Sequence, residues 1–160
     1  MLRLIIKDKN NTINFITELP VRLREALIKA MRESAILIQS YAKTYAPVFR
    51  GILRLSIAQN VYAQANIIKA EVGSGVIYAN IIEEGRIPWS GSMPPPNGDL
   101  KTWARRKLGD ERLSYIIARA IKIRGFQSKP YLMPALNESI PRIKNIFTTR
   151  INETFENRGK

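Results

Sequence analysis

The sequence predicts an α+β fold: a long N-terminal helix and a C-terminal helix packed on a small antiparallel sheet, with two short helices after a Pro-rich loop. Three observations carry the prediction. Apolar residues recur at steps of three and four over about 20–45 and again over about 135–155. Between them, Ala46-Pro47-Val48-Phe49-Arg50-Gly51 punctuates the first helix and hands over to an alternating pattern. Short apolar runs then follow one another, separated by polar or glycine-containing turns.

The elements follow in order. Leu2–Ile6 reads as a short strand, with Leu2, Leu4 and Ile6 on one side. Lys7–Thr12 is polar and reads as a loop or turn, and Asn14–Leu19 fits neither period. From Pro20, which suits a first helical turn, to Tyr45 the pattern is helical. Its predicted inner face is Leu23, Leu27, Ala30, Ser34, Leu37, Tyr41 and Tyr45. At 1.5 Å per residue this helix is roughly 40 Å long, and packing across the sheet is the expected arrangement. Pro47 cannot continue it and biases Ala46 towards an extended backbone, while Gly51 permits a sharp turn. Leu53, Leu55 and Ile57 recur every second residue, so a strand is expected over Ile52–Ala63. Ile67–Val72, closed by Gly73-Ser74-Gly75, and Val76–Ile82 complete a three-strand meander.

Residues 86–98 contain Pro88, Pro94, Pro95 and Pro96 with Gly91 and Gly98, and are expected to form a loop. Trp89 and Met93 lie in it and are candidate partner contacts. Asp99 caps a predicted helix that Gly109 ends. Asp110 caps another, containing Leu113, Ile116, Ile117, Ala120 and Ile121, with Gly125 after it. Phe126–Met133 reads as extended. A last helix runs from Pro134 or Ala135 to about Phe155, with Ile140, Ile143, Phe147, Ile151 and Phe155 on its face. Pro141 either kinks it or marks its true first turn. Residues 156–160 are expected to fray. The whole, 1–160, is expected to be one domain.

Composition narrows the chemistry. With no cysteine and no histidine among 160 residues, disulfides, thiolate metal sites and the usual neutral-pH general base are missing. No apolar run approaches the roughly 20 residues that span a bilayer, and no membrane role is expected. Glu83 and Glu84 are adjacent, so on a strand they point apart and make a poor acid/base pair. Asp99, Asp110 and Glu111 sit where helix starts favour negative charge. Ser56 and Thr44 have no histidine to activate them. Phosphate-binding glycine loops are absent. No catalytic, metal or cofactor site is expected. An enzyme with an acidic site at Glu83 stays a remote alternative that requires further acids nearby.

The net charge is +13. It is concentrated: residues 98–130 hold nine basic and three acidic side chains, whereas 51–97 hold three of each. Lys101, Arg105, Arg106 and Lys107 form the densest patch, followed by Arg112, Arg119, Lys122 and Arg124, and are candidate phosphate contacts. Aromatic interleaving is thin, with Trp103 and Tyr115, and no helix-turn-helix or zinc-finger spacing is visible. A sequence-nonspecific DNA-binding protein is the alternative that this charge suggests.

Three separated segments give a sharper indication. Ala46, Pro47, Val48, Gly51, Leu53, Ser56 and Ile57 form one; Tyr78, Ala79, Ile82, Glu83 and Gly85 form the second; Pro130, Tyr131, Leu132 and Ala135 form the third. In this order the chain resembles the neck and tail-completion proteins of tailed bacteriophages, the gene-product-ten-like family of the head–tail joining region, over roughly Leu19–Phe155. Trp103 and Arg106-Lys107-Leu108-Gly109 are also similar to longer members. Arg50, Arg86 and Glu84 depart from the family pattern. The resemblance implies a virion structural protein made in the host cytoplasm and built into the head–tail junction. Its partners would be copies of itself in a closed ring, expected as a hexamer, together with other connector and tail proteins, with nonspecific contact to passing DNA.

Overall fold

A computed structural model describes residues 2–5, 21–48, 50–65, 67–92, 96 and 98–156. The expectations for Lys7–Thr12, Asn14–Leu19, Pro20, Met93 and 157–160 fall outside the described residues. The chain is α+β. Its order is β1 (Leu2–Ile5), α1 (Val21–Tyr45), α2 (Ile52–Ser56), β2 (Ile57–Gln64), β3 (Ile67–Ser74), α3 (Ala79–Glu84), α4 (Gly98–Leu108), α5 (Leu113–Arg124) and α6 (Leu132–Glu156). The fold divides into two compact units: Met1–Val76 with Tyr131–Lys160, and Ile77–Pro130.

In the first unit the sheet has the order β1-β3-β2, antiparallel throughout. The β2–β3 hairpin is as expected, with Gln64 opposite Ile67 and Ile57 opposite Ser74. The third sheet strand is not 76–82 but β1, which pairs with the other edge of β3 and sets Leu4 opposite Ala70. Ile68, Ala70 and Val72 of β3 are buried, as is Ile57 of β2. Helix α1 lies against β2 and β3 and also against α6. Gln39 Nε2 donates to Ile57 O (2.8 Å), and Arg24 donates to Gln64 O (2.5 Å) and Ala65 O (2.7 Å), tying α1 to the hairpin.

Contact with both the sheet and α6 explains why α1 buries more than its predicted stripe. Leu23, Ala30 and Ser34 are buried as expected, but so are Ala26, Met31, Ala35, Ile38 and Ala42, while Tyr45 is exposed. At 100° per residue, the predicted stripe faces α6, and Met31, Ala35 and Ala42 lie on the side of Arg24 and Gln39 that meets the sheet. Helix α6 runs antiparallel to α1. Tyr45 pairs with Glu138, the Arg142 guanidinium lies over the Tyr41 ring (5.6 Å), and Arg150 clamps Glu33 through Nη2 (2.5 Å) and Nε (3.2 Å). Small residues line this seam. Ala30, Ala135, Ser34 and Ser139 are fully buried, and both serines return their hydroxyls to the carbonyl four residues earlier (2.7 and 2.6 Å).

Three predicted elements differ. Ile52–Ser56 is a helical turn, not strand. Gly51 adopts φ +77°, Leu55 N–H donates to Gly51 O (2.8 Å), and the Ser56 hydroxyl donates to Leu53 O (2.8 Å). Leu53 and Ile57 share a face at i, i+4 as readily as at alternate positions, so the spacing alone did not distinguish the two. The cost of the error is Leu55, which is 80% exposed where a strand face predicts burial. Val76–Ile82 is not strand either: Ala79–Glu84 is helical, stopped at Gly85. Helix α6 begins at Leu132, before Pro134, because a first-turn proline forfeits no hydrogen bond. It passes through Pro141, so that residue is interior and not a start. The expected break in helix between α1 and the sheet is present, with the strand starting at Ile57.

Candidate functional site

The three motif segments are placed for turning and packing. In the first, Leu53 is buried, and the Ser56 hydroxyl lies 2.7 Å from the Ser74 hydroxyl, fastening the start of β2 to the end of β3; Pro47 is half-buried. In the third, Tyr131, Leu132 and Ala135 are buried at the head of α6, and Pro130 is exposed just before them.

The second segment builds a clasp inside the unit Ile77–Pro130. Tyr78 is the residue before α3, and Ala79 is buried. Burial, then the negative charge of Asp99, holds the Tyr78 phenol above its ordinary range. Helix α3 ends at Gly85 (φ 79°, ψ −171°), whose N–H donates to Ile81 O (2.9 Å). Helix α5 ends in the same way at Gly125 (φ 80°, ψ −170°), whose N–H donates to Ile121 O (2.8 Å). The two chains leaving these helices pair antiparallel. Arg86 N–H donates to Phe126 O (2.9 Å), Phe126 N–H to Arg86 O (2.7 Å), and Lys129 N–H to Ile82 O (2.7 Å). Neither glycine admits a side chain. A Cβ at Gly85 would lie 2.7 Å from Phe126 O, and one at Gly125 would lie 2.3 Å from Arg86 O. Gly125 as the partner of Gly85 was not read from sequence, where each glycine marks only the end of its own helix.

Glu83 and Glu84 stand on helix α3 and not on a strand, Glu83 half-buried and Glu84 exposed. Among the described residues no three acidic, histidine or cysteine side chains gather into a metal-holding group.

The basic patch is divided by the structure. Helices α4 and α5 pack together. Arg105 is paired with Glu111, and Lys101 Nζ lies 6.0 Å from the centre of the Tyr115 ring. Arg106 and Lys107 are exposed and point about 100° apart around α4. Trp89 is half-buried against its own unit. Its N–H donates to Lys122 O (3.2 Å), the Arg86 guanidinium stacks 3.9 Å from its ring centre, and Nε1 reaches Ser92 O at 3.5 Å. No protein-family model, curated protein or solved structure matches this chain.

Proposed function

We propose that this chain is a structural subunit of a phage head–tail junction, a neck or tail-completion protein that works by closing into a ring of its own copies and docking connector and tail proteins. The single observation behind the assembly step is an apolar stripe on α6 that the chain itself leaves partly uncovered. Ile140 and Phe155 at its two ends are 43% and 50% exposed, with half-buried Ile143, Phe147 and Ile151 between them. Val48 and Leu55, near the motif turn, are also exposed. Apolar side chains aligned along a helix and open to water favour association, and a ring requires head-to-tail contacts that close. The motif residues described above supply turns and packing, as a scaffold requires, and the junction reading itself rests on their order along the chain.

Solution mass against concentration tests the assembly step. The expected result is a discrete oligomer in the intact chain, dispersed to monomer with retained helix content by Ile140→Glu with Phe155→Glu. A chain that remains monomeric up to high concentration, alone and with connector proteins, would falsify it.

A further inference from the structure

Helix α5 carries a stripe of cations along one side. Arg112, Tyr115, Arg119 and Lys122 recur at i, i+3, i+7 and i+10, and so lie along one side of the helix and its first turn. Lys101 of α4 reaches over the Tyr115 ring and joins the same side. The helix Leu113–Arg124 contains no acidic residue. Of the acids at its head, Glu111 pairs with Arg105, and Asp110 Oδ1 accepts the Arg112 backbone N–H (2.8 Å), which leaves its charge at the Arg112 end of the stripe and away from Arg119 and Lys122. Among the described residues, neither Arg119 nor Lys122 forms an ion pair. Four cations thus line a stripe about 15 Å long at 1.5 Å rise per residue.

We propose that this stripe, and not the Arg105-Arg106-Lys107 run, holds the backbone of duplex DNA without reading its sequence. The proposal rests on the reading above, in which DNA passes the assembled subunits. Complementarity of charge identifies the occupant. A duplex offers one negative charge per about 1.7 Å of axis, a near-continuous line that a stripe of donors matches. Arginine and lysine spaced along a stripe meet phosphates, and contacts to phosphate carry no sequence information. An anionic lipid surface is the poorer fit. A helix lying in a membrane interface presents a broad apolar face, whereas here Ala118 is buried, Ile117 and Ile121 are half-buried, and only Ile116 and Ile123, 64% and 60% exposed, flank the cations.

The test is binding of the full-length chain to a labelled duplex DNA of arbitrary sequence across a salt series, with circular dichroism to verify folding of each variant. Arg119→Gln with Lys122→Gln is expected to weaken binding on the order of tenfold at about 0.1 M salt and to reduce the slope of log affinity against log salt by about 1.8, two phosphate contacts' worth. Arg106→Gln with Lys107→Gln is expected to leave that slope unchanged. Absence of duplex binding at low salt, equal losses from the two double variants, or tighter binding to phosphatidylserine vesicles than to duplex would each overturn the proposal. The same samples report solution mass, which separates the two readings. A ring that does not bind DNA refutes the stripe alone, and a monomer that binds through the stripe refutes the ring alone.

Discussion

At the scale of single residues, the paired helix endings dominate. Gly85 and Gly125 have positive φ and a neighbouring backbone where a Cβ would stand, so a substitution there meets both strain and a clash. Gly51 also has a positive φ, but with ψ near 0° it is in the left-handed helical region and has room, since the nearest atom to an added Cβ is Leu55 Cδ1 at 3.9 Å. Gly51→Ala is therefore expected to cost about 1 kcal/mol, and Gly125→Ala about 3 kcal/mol or more. Urea denaturation checks this by two probes, because Trp89 and Trp103 both lie in the unit containing Gly125 while far-ultraviolet dichroism follows helix in the whole chain. Tyr45 makes a different forecast. Its hydroxyl donates to Glu138, and that hydrogen bond, followed by local desolvation and by the carboxylate charge, raises the phenol above its usual pKa of 10.0. A group whose folded pKa is raised stabilises the fold below its unfolded pKa and ceases to do so as pH climbs through the folded one. The Tyr45–Glu138 link should accordingly persist at neutral pH and be lost above about pH 10. A spectroscopic phenol titration should show Tyr45→Phe deleting a late-titrating tyrosine.

At the scale of elements, the α1–α6 seam depends on small side chains. Ala30 and Ala135 have no exposed surface, so Ala30→Leu should overpack the seam and cost about 1–3 kcal/mol, whereas Ile140→Ser, on the open stripe, should change monomer stability by under about 0.5 kcal/mol. Thermal denaturation at low concentration distinguishes these outcomes. The contrast also accounts for what could be read in the sequence. Helical periodicity located α1, α4, α5 and α6, and turn residues located the β2–β3 hairpin. Periodicity favours large apolar residues as the inner face, however, and so selected Ile140 and Phe155 over Ala135 and Ser139. It assigned α1 one buried side where two neighbours impose two. Local glycine geometry decided α2 and α3, each only a turn or so long, where a run of apolar residues fits strand and helix alike. At the cationic surface, Lys101, Arg112, Arg119 and Lys122 were legible as a basic run, but the loss of Arg105 to Glu111 required the fold.

At the scale of the whole molecule, a chain that associates through α6 gains stability by mass action. Its melting temperature should then rise with concentration, and Ile140→Glu with Phe155→Glu should abolish that dependence while leaving the dilute melting point close to that of the parent. The unit Ile77–Pro130 carries a further implication. Lys129, one residue from its end, donates its amide to Ile82, five residues from its beginning, so the segment is buttoned shut across its own neck. A segment fastened in this way can lengthen, shorten or exchange its interior without prising apart the polypeptide on either side.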